Sequence, residues 1–107
     1  ARRNIPYNEH ADPSEVIPEL DILYATRIQE ERFPDPIEFM KVRNAYVINR
    51  SMLADARKNL KIMHPLPRRG EIARDVDQSS FAYYFQQAAN GIPVRQALLA
   101  LILGKTA

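Results

Sequence analysis

The chain has 107 residues, 46% hydrophobic and 26% charged. That balance describes one small globular domain and excludes a disordered or fibrous chain. Its net charge is +2 and it has no cysteine; this excludes disulfides and thiolate metal sites and suits a reducing compartment, the cytoplasm.

Lys and Arg against Asp and Glu number 7 and 9 in residues 1–50, and 8 and 4 in residues 51–107. The second half is the basic one. It has no run of five or six like charges and no basic stripe with stacking aromatics, so no nucleic-acid partner is expected. The start, ARRNIPYNEH, has charge but no following apolar segment, so no signal peptide is expected there. The first residue is not methionine, and a processed or excised chain is expected. The longest apolar run, Ala97 to Leu103, is far below the roughly 20 residues that span a bilayer. A soluble protein with no membrane partner is expected.

In chain order, NIPY at 4–7 reads as a short strand. ADPSEVIPEL reads as a short helix, with Asp12 before Pro13 and Glu15 soon after. DILYA, 21–25, is a short apolar run of the kind buried on both faces of a parallel sheet. After TRIQEERF, PDP breaks the pattern and IEFMKVRNA reads as a helix. YVIN, 46–49, reads as a strand or extended piece. SMLADARKNL reads as a helix capped by Ser51, with Leu53, Ala56 and Leu60 on one face. KIMH, 61–64, reads as a second buried strand, and EIARDVD as a turn of helix. SSFAYYFQQAAN reads as a helix interrupted at Asn90-Gly91, with Pro93 opening the last helix, VRQALLALILG. A kink in one long helix is the other reading. That last helix is apolar nearly all round, so it is expected to pack on protein outside this chain. Alternating helices and short apolar strands indicate an α/β layer with a mostly parallel sheet.

Ligands in such sheets sit beyond the carboxyl ends of the strands. Two strands end in chemically loaded loops, Thr26-Arg27-Ile28-Gln29 and His64-Pro65-Leu66-Pro67-Arg68. The fork of donors on Arg27 matches a carboxylate in two places, and Glu31 lies where it can orient that fork if a helix starts here. A solvated Arg–Glu pair is the plain alternative. In the second loop two prolines remove two backbone donors and leave neighbouring carbonyls as acceptors. That suits a ligand offering N–H groups, such as an amide; a proline-rich strand stop with a capping His64 is the alternative. A cis bond at either proline is open, at a frequency of about 5% in folded proteins. With glycines only at 70, 91 and 104, no phosphate cradle is expected from this chain. No His or carboxylate pair has metal spacing, and no metal or cofactor is expected.

DILYATRIQEERF, KIMHPLPRRGEIARDVD and AYYFQQAANGIPVRQALLALILG resemble the C-terminal part of aspartate carbamoyltransferase catalytic chains. The sister enzymes that use ornithine typically have cysteine at the first proline of HPLPR and lack the TRIQ-x-ER stretch. The resemblance implies an α/β, parallel-sheet three-layer segment of the aspartate/ornithine carbamoyltransferase fold, ending in a long apolar helix. Residues 1–80 would be the C-terminal part of the aspartate-binding domain, and residues 81–107 a helical segment packing back on an absent carbamoyl-phosphate domain. It implies transfer of a carbamoyl group from carbamoyl phosphate to L-aspartate in pyrimidine biosynthesis. Arg27 is similar to the arginine that grips an aspartate carboxylate, with Gln29 beside it and Glu31 orienting it. Leu66 and Pro67, with His64, resemble the loop whose carbonyls accept from the carbamoyl NH₂. Arg32 and Arg68 resemble orienting or interdomain residues, and Phe33–Phe39 a mobile loop. The partners implied are a homotrimer of catalytic chains, with regulatory chains in some members.

Two departures stand out. The family commonly has an acid where this chain has Gly70, which puts a closure contact in doubt. Its catalytic chain is also about three times longer, with an STRT-type phosphate loop, a histidine, an arginine and a lysine loop upstream. Alone, this chain is therefore expected to be inactive. Two other readings remain: a non-catalytic interaction subunit derived from the same fold, and an unrelated anion-binding domain built on Arg68, Arg69 and Arg74.

Overall fold

The structure, a computed structural model, describes residues 3–106. The expected domain limits at Ala1 and Ala107 lie outside the described residues. Strand β1, Ile22–Tyr24, and strand β2, Lys61–Met63, pair in parallel, with Leu23 opposite Ile62 and Tyr24 opposite Met63. The Ala25 N–H continues the pairing onto the Met63 carbonyl at 2.9 Å. On its other side β2 takes a single parallel bridge from Ala82: the Ile62 N–H donates to the Phe81 carbonyl, and the Tyr83 N–H to the Ile62 carbonyl. Ile62 thus gives its N–H and carbonyl to the 81–83 segment, while its neighbours Lys61 and Met63 bond the β1 side, and its side chain has no exposed surface. Ile17, Ile48, Leu53, Leu60, Ile72, Val76 and Tyr84 complete the core around it.

The capping chemistry of the sequence is realised at both expected N-terminal helix starts. Asp12 accepts from the Ser14 N–H (2.9 Å) and opens two short 3-10 turns, Pro13–Glu15 and Ile17–Glu19. Asp35 accepts from the Ile37 N–H (2.9 Å) and opens α1, Pro36–Ala45, with Pro36 at its first position. The PDP breaker is thus a helix start as well. YVIN contributes one bridge, Ile48 to Ile72, and EIARDVD the 3-10 turn Arg74–Val76.

Several expectations are corrected. NIPY forms no strand: Pro6 lacks an N–H, and Ile5 and Tyr7 stand exposed with no neighbouring edge to pair with. β1 is not buried on both faces, since Ile22 and Tyr24 are 59% and 52% exposed. Only Leu23 turns into the core, and the other face is largely open among the described residues. SMLADARKNL is not a helix but the 3-10 turn Arg50–Leu53 followed by turns. Its cap is Asn49, which accepts from the Met52 N–H (3.1 Å) and from the Ser51 hydroxyl. Arg57 and Asn59 then reach Asp21, so side-chain bonds replace the helical ladder.

The final helix, α2, spans Tyr84–Ile102 without a break. It starts later than expected because residues 81–83 are engaged with Ile62. Pro93 lies inside it and not at a helix start, leaving the Ala89 carbonyl without its usual donor. Nor is it a long apolar helix. Gln86, Gln87, Asn90, Arg95 and Gln96 make it polar along much of its length, and among the described residues no helix is long and apolar enough to cross a membrane. Its exposed apolar side chains are densest at the end, at Leu98, Leu99, Leu101 and Ile102, with Phe85, Ile92 and Val94 exposed before them. The sheet seen here has two strands; no three-layer arrangement is built by these residues.

The contrast between Ile62 and Ile22 gives a direct test. Ile62→Val removes a fully buried methylene and is expected to cost about 1 kcal/mol in urea unfolding. Ile22→Val, on the uncovered face, is expected to stay within about 0.5 kcal/mol.

Candidate active site

The parallel register sends both chains out of the sheet at the same end. Thr26, Arg27 and Gln29 follow β1, and His64 to Pro67 follow β2. Together they line one cleft of about 770 Å³, completed by Arg32, Phe33 and Arg69. Three guanidinium groups thus meet backbone carbonyls in one crevice, which favours a ligand with anionic ends and N–H donors.

Arg27 is already oriented. Its Nη2 donates to Glu31 Oε1 at 2.6 Å and its Nη1 to Oε2 at 3.4 Å. No helix was needed: Glu31 sits in the 3-10 turn Glu30–Arg32. Glu31's own backbone N–H, and then Arg27, hold the Glu31 carboxyl below the usual carboxylate range. Arg27 and Glu31 are 37% and 57% exposed, so the pair contributes little stability and its effect is orientation.

The second wall is tightly held. The Leu66–Pro67 bond is cis, and Leu66 has φ of 51°, a conformation that costs a bulky side chain about 1–2 kcal/mol. The Leu66 N–H donates to His64 Nδ1 at 2.8 Å, and the His64 N–H donates to Gln87 Oε1 at 2.9 Å. Gln87 Nε2 in turn donates to the Tyr24 hydroxyl (3.1 Å), tying α2 to the ends of both strands. His64 is 1% exposed. Burial pushes its pKa below the ordinary histidine value, partly opposed by Glu71, so the ring is neutral at pH 7.

Arg68 does not line the cleft. Its guanidinium forks onto Asp77, with Nη2 to Oδ2 at 2.6 Å and Nη1 to Oδ1, and Nη1 also reaches the Tyr84 hydroxyl at 3.3 Å. The Tyr84 hydroxyl donates to Asp77, and the Arg68 guanidinium carbon lies 5.5 Å from the Tyr84 ring centre. Arg68 holds Asp77 below the usual carboxylate range, while burial and then Asp77 push the Tyr84 hydroxyl up to about 12. Next in the chain, Gly70 has φ of 116°. That conformation favours glycine, so an acid could not stand here without the turn changing.

The sequence did not point to Asp77, Tyr84, Gln87 or Glu71 as supports of the loop. Asp77, Tyr84 and Gln87 lie 9 to 23 residues from the loop residues they hold, and Glu71 faces His64 from seven residues on; no local spacing rule links these pairs. Among the described residues no group of acids and histidines could hold a metal ion.

Residues 2–102 match the family described as aspartate/ornithine carbamoyltransferase, Asp/Orn binding domain. The chain belongs to that family. The aspartate carbamoyltransferase catalytic subunit of Vibrio campbellii is 56% identical over 102 residues, which are 95% of this chain and 33% of that protein. The catalytic subunit of M. jannaschii aspartate transcarbamoylase superposes with a TM-score of 0.85 at 44% identity, covering 96% of this chain and 34% of that one. Aspartate transcarbamoylase of Trypanosoma cruzi, in complex with carbamoyl aspartate and phosphate, gives 0.73 at 35% identity, covering 85% and 28%. The chain spans about a third of the length of these carbamoyltransferases.

The Arg68–Asp77 pair sets an acid limb of stability. Asp77's folded pKa is depressed, so its contribution is complete above the ordinary carboxylate value of about 4 and is lost as pH falls through the folded value. Asp77→Asn is expected to lower unfolding stability by about 1.5–3 kcal/mol at pH 7. The gap to wild type should narrow in urea titrations as pH falls below the ordinary carboxylate value and through the lower folded one.

Proposed function

We propose that this chain supplies the aspartate-binding part of an aspartate carbamoyltransferase catalytic chain. The observation that carries the reading is the cleft, in which Arg27 and Gln29 from one strand end face His64, Leu66 and Pro67 from the other. The Trypanosoma cruzi relative, bound to carbamoyl aspartate and phosphate, supports the same chemistry.

In this reading Arg27, held by Glu31, takes a carboxylate of L-aspartate, and Gln29 adds an amide beside it. The Leu66 and Pro67 carbonyls accept from the carbamoyl NH₂, and buried His64 holds Leu66 in place. The aspartate amine attacks the carbamoyl carbon, the new C–N bond forms, the C–O bond to phosphate breaks, and the amine proton leaves. This chain contributes positioning and charge complementarity to that step. Arg32 belongs to ion pairs made on domain closure. Arg68 acts from inside, bracing the HPLPR loop through Asp77 and Tyr84.

The phosphate-binding half of the site belongs to a carbamoyl-phosphate domain outside this chain. Residues 1–80 form part of the aspartate domain, within a larger three-layer parallel sheet, and residues 81–107 return to the carbamoyl-phosphate domain. The exposed Leu98, Leu99, Leu101 and Ile102 favour that docking. They also favour the second reading, an interaction subunit of the same fold without catalysis. The assembly proposed is a cytoplasmic homotrimer serving pyrimidine biosynthesis, with or without regulatory chains.

Mixing the chain with a separately expressed carbamoyl-phosphate domain decides between the two readings. Formation of carbamoyl aspartate is expected from the mixture and not from the chain alone. Arg27→Ala is expected to lower kcat/KM for aspartate roughly 100-fold. A tight but inactive complex would favour the interaction subunit.

A further inference from the structure

His64 and Glu71 carry two buried polar atoms that have no hydrogen-bond partner among the described residues, His64 Nε2 and Glu71 Oε1. They face each other at 3.9 Å, with side chains 1% and 10% exposed. Buried polar groups are nearly always paired, so an opposed donor and acceptor just beyond bonding distance call for an explanation.

The ring's other nitrogen supplies it. Nδ1 accepts the Leu66 N–H at 2.8 Å, so Nδ1 carries the lone pair and the proton of the neutral ring sits on Nε2. The opposite tautomer would set two N–H groups against each other at Leu66 and a lone pair against a carboxylate at Glu71. The other oxygen of Glu71, Oε2, accepts the Arg69 N–H at 2.6 Å. One carboxylate therefore addresses both ends of the segment from His64 to Arg69. Between those ends lies Leu66, held at φ 51°, which an unbraced backbone would leave.

We infer that Glu71 is a positioning residue for the cleft. It fixes the His64 tautomer, and His64 in turn holds the Leu66 backbone in its left-handed conformation. At 3.9 Å the Nε2–H faces the carboxylate oxygen just beyond hydrogen-bond distance, where attraction between the two still favours this tautomer. The link to substrate rests on the reading of Leu66 as part of the carbamoyl subsite; the clasp itself does not.

The test is kept independent of that reading. In ¹⁵N-labelled wild-type chain, the imidazole NMR spectrum is expected to show His64 as the Nε2–H tautomer. The Nδ1–H tautomer or a rapidly exchanging mixture would overturn the inference. Glu71→Gln keeps the shape but can accept from only one of the two N–H groups. It is expected to give mixed tautomer signals and at least about ten-fold faster exchange of the Leu66 amide, while the Ile62 amide is unchanged. Unchanged tautomer and exchange in that variant would also overturn it. In enzyme reassembled with the carbamoyl-phosphate domain, Glu71→Gln is expected to lower kcat roughly ten-fold or more with little change in KM for aspartate. Absence of activity in the wild-type mixture would count against the functional reading alone, because the tautomer result stands without it.

Discussion

Everything at the candidate site depends on the parallel pairing of Ile22–Tyr24 with Lys61–Met63. An antiparallel pair would send the two following loops to opposite ends of the sheet. A parallel pair delivers Arg27 and Leu66 to the same crevice although they are far apart in the chain. The pairing is anchored by Ile62, whose side chain is wholly buried and whose N–H and carbonyl tie β2 to the 81–83 segment on the side away from β1. Three-residue strands have little ladder of their own, so the burial of Ile62 with Leu53, Leu60 and Ile72 carries the stability of the arrangement.

The two walls of the cleft are built on opposite physical terms. Arg27 and Glu31 are solvated, charged and paired with each other. Their pairing is weak as a source of stability and suited to exchange of Glu31 for a ligand carboxylate in part of the fork. The His64–Pro67 wall is buried at its root and braced by side chains. Gln87 holds His64, and Arg68 is held by Asp77 and Tyr84. A solvated cationic wall and a braced acceptor wall suit a site in which one ligand is gripped on arrival and the other held in fixed geometry.

Much of this was legible in the sequence, for reasons that can be named. DILYA and KIMH read as parallel strands because apolar runs of that length have few other uses. Asp12 read as a helix start because a side-chain acceptor before proline satisfies orphan N–H groups; Asp35 does the same but stood inside PDP, which read only as a breaker. The family was legible in TRIQ and HPLPR. SMLADARKNL misled because Leu53, Ala56 and Leu60 suit a succession of turns as well as a helix, and the decisive partner, Asp21, lies more than 30 residues away. The start of α2 misled because residues 81–83 are claimed by Ile62. The strained φ of Leu66 and the partners of Arg68 and His64 are tertiary facts. No local pattern encodes them.

The central claim is that two loops of this chain form one half of a carbamoyl-transfer site. A crystal structure of the chain assembled with its carbamoyl-phosphate domain, carbamoyl phosphate and succinate tests it most directly, since succinate is a dicarboxylate without the attacking amine. The account predicts a succinate carboxylate about 3 Å from the Arg27 guanidinium, and the carbamoyl NH₂ donating to the Leu66 or Pro67 carbonyl. Ligands bound outside this cleft, with Arg27 paired to Glu31 alone, would contradict it.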